Sequence, residues 1–256
     1  MPKAFSCRTL FKCCILYFLF TAVISPLVSA QIVPKEKKEK RKKQKLPPEN
    51  LAGVMLANAQ YNFSSSALKN VFLINPTSLQ FGPDGRLYVS EQGGLIKVFT
   101  VVRNGSNNYS VTATQTIDLI NQIPNHNDDG APNTAVIKRQ ITGILVKGTA
   151  ANPVIYVSSS DSRIGGPSGD LNLDTNSGIL SMLTWNGTAW IKVDLVRGFP
   201  RSEENHSVNG MQLDEQTNIL YLAIGGHTNA GSPSTNFAYT CEYTFSAAIV
   251  SIDLNF

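Results

Sequence analysis

The stretch LQFGPDGRLYVSEQGG, residues 79–94, decides the fold: a short apolar strand, a turn through Pro83, Asp84 and Gly85, and a second apolar strand that carries Tyr88. The same plan returns in ILVKGTAANPVIYVSSSD (144–161) and MQLDEQTNILYLAIGG (211–226). Tyr88, Tyr156 and Tyr221 mark equivalent points, 68 and 65 residues apart. Each copy is followed by another apolar strand, LIKVFTVV (95–102), ILSMLTW (179–185) and IVSIDL (249–254). The first two copies add a fourth strand, TATQTIDL (112–119) and WIKVDLV (190–196), the latter after Asn186-Gly187. Asn-Gly favours a tight hairpin because both residues tolerate positive φ.

Alternating short segments separated by turn residues are the pattern of an all-β domain, and almost no helical periodicity follows residue 70. LAGVMLANAQ (51–60) is the one stretch that reads as helical. A four-stranded meander recurring at this spacing is what a blade of a β-propeller looks like in sequence. The alternative is a β-sandwich with accidental self-similarity. About three blades are present, whereas propellers close with about four or more. The chain therefore reads as part of a larger ring: a truncated product, a fragment, or a chain completed by another.

Outward from the repeats, the N-terminus reads as processing signals. Residues 1–30 form a signal peptide, with Lys3, Arg8 and Lys12 ahead of an apolar run from Cys13 to Ile24 and Val28-Ser29-Ala30 at the cleavage point. That run is shorter than the roughly 20 residues a membrane span needs, so no stable span is expected after cleavage. The expected location is secreted, periplasmic or the cell envelope. Three of the four cysteines leave with the signal; Cys241 remains, reads as structural filling, and has no partner for an internal disulfide.

Residues 31–50 form a basic linker, in which PKEKKEKRKKQK (34–45) carries eight cations against two glutamates. The run reads as a solvated linker or a tether to envelope polymers. It lacks aromatic side chains for stacking on bases, and nucleic acid is not an expected partner. Pro47-Pro48 ends it, and residues 51–256 form the partial propeller. Residues 46–256 hold 11 basic and 16 acidic side chains, so the folded part is mildly acidic despite the formal +4 of the whole chain.

PTSLQFGPDGRLYVSEQGGLIKV (76–98), DDG (128–130), RQITGILV (139–146) and DLVRGFPRSEENHSVNGMQL (194–213) follow in an order that resembles the glucose/sorbosone dehydrogenase-like family of soluble quinoproteins. The resemblance covers roughly residues 70–254. It implies a six-bladed propeller that oxidises a sugar or other alcohol. In that family pyrroloquinoline quinone (PQQ) takes the hydride, calcium polarises the quinone, and a histidine removes the hydroxyl proton. His206 stands at the matching position and is the candidate catalytic base, with Asn205 and Glu204 beside it. Carbohydrate is the expected partner.

Departures from the family pattern accompany the match. Asn209 stands where the family has glycine after the histidine, with Gly210 one place later, and Lys138 replaces a carboxamide or carboxylate ahead of the second-blade strand. The family's quinone-contacting arginine motif and calcium-holding loops would lie beyond Phe256, so the quinone site is incomplete on this chain alone. A non-catalytic propeller that binds carbohydrate or protein at its rim is therefore the second expectation.

Two other clusters carry candidate ligands. DLNLDTNSG (170–178) spaces Asp170, Asn172, Asp174 and Asn176 at alternate positions, as a calcium loop does, but without the glycine and glutamate of an EF-hand; a polar inter-strand loop is the other reading. NHNDDG (125–130) places His126 beside Asp128 and Asp129, a candidate rim site or cation loop, although one imidazole without a second is a poor transition-metal motif. His227 reads as a turn residue. Asn62, Asn104, Asn108, Asn186 and Asn205 satisfy N-x-S/T and are glycan acceptors in a host that modifies exported proteins. No serine-hydrolase elbow, P-loop or dinucleotide fingerprint is present.

Overall fold

The computed structural model describes residues 64–163, 175–202, 206–228, 239 and 241–255, all within the compact unit Tyr61–Phe256. The expected signal peptide, linker and helical stretch lie outside the described residues. The described part is all-β, with three separate sheets.

The first sheet contains β1 (Leu68–Lys69), β2 (Pro76–Phe81), β3 (Leu87–Glu91), β4 (Ile96–Gly105) and β5 (Asn108–Ile117) in the order β1-β5-β4-β3-β2. Strands β2 to β5 form an antiparallel meander, and β1 adds a short parallel edge to β5. The second sheet is the meander β6 (Arg139–Gly148), β7 (Pro153–Asp161), β8 (Gly178–Trp185) and β9 (Trp190–Phe199). The third is β10 (Val208–Asp214), β11 (Ile219–Ile224) and β12 (Ala248–Asp253). Apart from the β1 edge, consecutive pairing is the arrangement the repeats predict.

Turn chemistry fixes the register. Between β2 and β3, Gly85 adopts φ +74°, and the Asp84 carboxylate accepts bonds from the Arg86 amide, the Arg86 guanidinium and the Tyr88 hydroxyl. Burial alone would raise the Asp84 pKa, but these donors hold it below the ordinary carboxylate value. The β8–β9 turn differs from the tight Asn-Gly hairpin the sequence suggests. Trp185 pairs with Trp190, leaving the four-residue loop Asn186–Ala189, in which Gly187 has positive φ and Asn186 does not. The reason is local: Asn186 Oδ1 accepts the amides of Thr188 and Ala189, so its side chain closes the turn.

Period-two alternation sends neighbouring residues to opposite faces, and the middle sheet is buried on both. Ile144, Val146, Ile155, Val157 and Leu183 meet Tyr88, Ile96 and Val98 of the first sheet. Leu145, Tyr156, Leu180 and Phe199 meet Val208, Leu220, Leu222 and Ile224 of the third. Tyr88 and Tyr156 thus occupy equivalent faces, each turned toward the sheet next in sequence. Tyr88 and Tyr156 are buried (0% and 9% exposed), while Tyr221 is 42% exposed on the far face of the third sheet.

Strands β2 and β10, which open the meanders of the first and third sheets, both adjoin β6 of the second. Gln80 on β2 exchanges two bonds with the Val146 backbone on β6, and Ser158 Oγ on β7 donates to the Asn209 carbonyl on β10. Gly143 permits the second approach, because a Cβ there would lie 2.6 Å from the Asn209 oxygen. Consequently the starts of β6 and β10 and the ends of β7 and β11 gather at one end of the sheets.

Candidate functional site

That end is polar. Arg139, the first residue of β6, is buried; its guanidinium donates to Ser159 Oγ (3.1 Å), Asn125 Oδ1 (3.2 Å) and the Ser177 carbonyl. Asp161, its partner at the end of β7, is fully buried and accepts from the Arg163 amide (2.8 Å) and guanidinium Nε (2.9 Å). Desolvation pushes the Asp161 carboxyl up, but the Arg163 donors and the nearby Arg201 charge outweigh it and hold the group below the ordinary value.

The network extends in both directions from Arg163. Its guanidinium bonds Asn127 Oδ1 and the His126 carbonyl, tying down the NHNDDG loop. Its carbonyl accepts from the buried Arg201 guanidinium. The Ser202 amide in turn donates to the His206 carbonyl (3.0 Å), and Ser202 Oγ donates to the Gly226 carbonyl (3.4 Å). His126 and His206, one on each side, are therefore linked through two arginines.

His206 is half-buried, and its Nδ1 lies 2.9 Å from the Gly226 carbonyl oxygen. A carbonyl only accepts, so Nδ1 carries the proton, and in the neutral ring Nε2 holds the lone pair. Gly225 makes the approach possible: a Cβ there would sit 2.8 Å from His206 Cα.

Behind His206 lies His227, completely buried, with its ring edge-on to Tyr243 at 4.7 Å. Burial lowers its pKa most; the Glu242 charge opposes this, and His206 and Arg201 add to the lowering. Glu242 accepts the amides of His227 (2.9 Å) and Thr228 (3.0 Å). Desolvation raises its carboxyl, but bonds from Ser246, Thr228 and these amides together outweigh it and pull it down to about 2.

The structure separates the candidates the sequence singles out. Asn205 and Glu204 lie outside the described residues, as do Asp170, Asn172 and Asp174 of the expected calcium loop; Asn176 is described. Lys138 is exposed, and only its carbonyl joins the network, accepting from Asn125 and Ser162. Its neighbour Arg139 goes inside instead. The carboxylates of NHNDDG act as backbone acceptors, Asp128 for the distant Thr175 amide and Asp129 for that of Ala131. Cys241 is exposed rather than filling space in the interior. Among the described residues, no three His, Cys, Asp or Glu side chains converge on a common metal position.

Sequence motifs do not single out Arg139, Asp161, Arg163, Arg201 or Glu242. Four of them stand at or just beyond strand ends, in KRQ, SSDSR and FPRS, and that placement is the signal that could have found them. A cleft of about 240 Å³ opens beside the NHNDDG loop, lined by residues including Asn121, Asn125, Pro132 and Val136. A second, of about 290 Å³, lies at the opposite end near Lys147 and Glu215. Neither is lined by His206.

No protein-family model matches the chain, and no curated protein matches it. Among solved structures it is similar to a carbohydrate-active enzyme of family AA12 from Trichoderma reesei. The iodide form gives a TM-score of 0.39 at 18% identity, covering 62% of this chain and 32% of that one. The calcium form gives 0.37 at 18%, covering 62% and 31%. It is also similar to an oxidoreductase named as a glucose dehydrogenase from Thermus thermophilus, with a TM-score of 0.37 at 14% identity, covering 74% of this chain and 46% of that one. The chain spans 31–46% of the length of these structures.

Proposed function

We propose that the chain is part of an exported, dehydrogenase-like β-propeller whose polar end binds a sugar or another alcohol, with His206 as acceptor for a substrate hydroxyl proton. The observation that carries this reading is the Nδ1 contact of His206 with the Gly226 carbonyl, which leaves Nε2 as the basic nitrogen on a half-buried ring. When an alcohol is oxidised its carbon gives a hydride to an acceptor of the quinone class, and the hydroxyl proton lost with it passes to such a base within hydrogen-bond reach. The ordered motifs around His206, the three meanders and the contacts of β2 and β10 with β6 support the propeller. The N-terminal signal pattern supports export, and the Lys-rich run supports a contact with the envelope.

Among the described residues the site that the quinone and calcium implied by the resemblance would need is incomplete. Arg139 and Arg201 are buried and bonded to protein oxygens, and among the described residues no carboxylate cluster is available to a divalent cation. His206 is therefore assigned only its own part, which is to orient through Nδ1 and accept through Nε2. The same observation favours a second reading, a non-catalytic propeller that holds carbohydrate at this rim.

Calorimetric titration of the full chain with a panel of sugars and polyols tests the reading, and saturable binding to at least one is expected. Failure of every member to bind would remove both versions. Dye reduction in the presence of quinone, calcium and the bound sugar then separates enzyme from binder.

A further inference from the structure

Three of the five N-x-S/T sequons fall on described residues, at the opposite end of the sheets from His206. Asn104 and Asn108 flank the β4–β5 turn, and Asn186 opens the β8–β9 turn. These are corresponding hairpins of the first two sheets, each joining the third strand of its meander to the fourth.

The three asparagines differ in how they meet solvent. Asn186, Gly187, Thr188 and Ala189 are all exposed. Asn186 Oδ1 accepts from the Thr188 amide and hydroxyl (3.0 Å each) and the Ala189 amide (2.8 Å), which turns the amide nitrogen outward. Asn104 is exposed on a run of exposed residues from Val102 to Asn107, with Nδ2 resting on Ser110 Oγ at 2.9 Å. Asn108 is only half-exposed, and its Oδ1 is enclosed.

We infer that Asn186 and Asn104 are N-glycosylated on the outer hairpins of consecutive sheets, while Asn108 is not. The donor is a sugar chain on a lipid-linked diphosphate. Nδ2 of asparagine bonds to sugar C1, the C1–O bond to the diphosphate breaks, the diphosphate leaves with the bonding pair, and the amide gives up one proton. No oxidation or reduction occurs. Glycans at these two turns leave the polar end uncovered, so the modification is compatible with ligand access there.

Glycosylation at these turns rests on the export part of the proposed function. The test is to express the full chain in a eukaryotic secretory host, separate medium from cytosol, and map asparagine-to-aspartate conversion after amidase removal of N-glycans. Occupancy at Asn186 and Asn104 in the secreted protein is expected, with one glycan lost in Asn186→Gln and in Thr188→Ala and retained in Thr188→Ser. Secreted protein with a bare Asn186 overturns the glycan assignment alone. Unmodified chain retained in the cytosol overturns export and the assignment together. Because wild-type occupancy is read directly, a variant that fails to fold does not blunt the test.

Discussion

Arg201 donates from its guanidinium to the backbone carbonyl of Arg163, although 38 residues separate them and both carry positive charge. Fully buried Asp161 compensates, receiving Arg163 directly and lying within the field of Arg201. The link between the segments that follow β7 and β9 of the second sheet thus sets two cations around the Asp161 carboxylate.

Replacing Asp161 with Asn should accordingly destabilise the fold by about 3–5 kcal/mol, the usual cost of leaving a buried charge without its partner. The pH dependence has a definite sign, because the folded-state pKa is depressed. The stability it contributes is complete above the ordinary aspartate value near 3.9 and is lost as pH falls from there through the depressed value. Urea unfolding of wild type and Asp161→Asn between pH 3 and pH 7 checks both, with the difference shrinking toward low pH.

His227 gives the contrary test near neutrality. A buried base with a lowered pKa contributes stability that is present above the ordinary histidine value of about 6.5 and is lost as pH falls through that value toward the depressed one. His227→Phe, which keeps a ring against Tyr243, should flatten the stability profile between pH 5 and pH 7. An unchanged slope in urea titrations would show that His227 is not the group responsible.

Gly225 tests the seat of His206. A methyl group there would press on His206 Cα at 2.8 Å and its carbonyl carbon at 3.0 Å, so Gly225→Ala should cost about 1–3 kcal/mol and weaken ligand binding. Gly210→Ala, where a Cβ meets nothing within 4 Å, is the matched control and should leave binding unchanged. Thermal melts and calorimetric affinities of the pair decide the point.

The tyrosine repeat supplies a stability comparison. Tyr156→Ala removes an aromatic ring from the core between the second and third sheets and should cost about 3–5 kcal/mol. Tyr221→Ala, at the equivalent point on the uncovered face, should cost under about 1 kcal/mol in the isolated chain. Equal losses would contradict the assignment of corresponding faces.

The strands were legible because period-two alternation and turn residues are local signals, and each of the three tyrosine segments became a strand of its own sheet. The polar end was legible only in part. His206 stood out through its motif, but Arg139 was hidden behind Lys138: Lys138 lies one residue outside β6 and is exposed, whereas Arg139 opens the strand and is buried. Arg163 and Arg201 read as ordinary strand-flanking charges, since their carbonyl and carboxylate partners are distant in sequence. Asn186 misled in the other direction, because its side chain closes the turn that its backbone was expected to make.

The basic nitrogen of His206 facing a ligand hydroxyl is the central claim. Nitrogen-15 spectra of the histidine rings, recorded while the full chain is titrated with a sugar that binds it, test this most directly. The expected result is His206 in the Nδ1–H tautomer, with its Nε2 resonance moving in step with saturation. A ring in the Nε2–H tautomer, or an Nε2 resonance that stays fixed while the sugar binds, would contradict it.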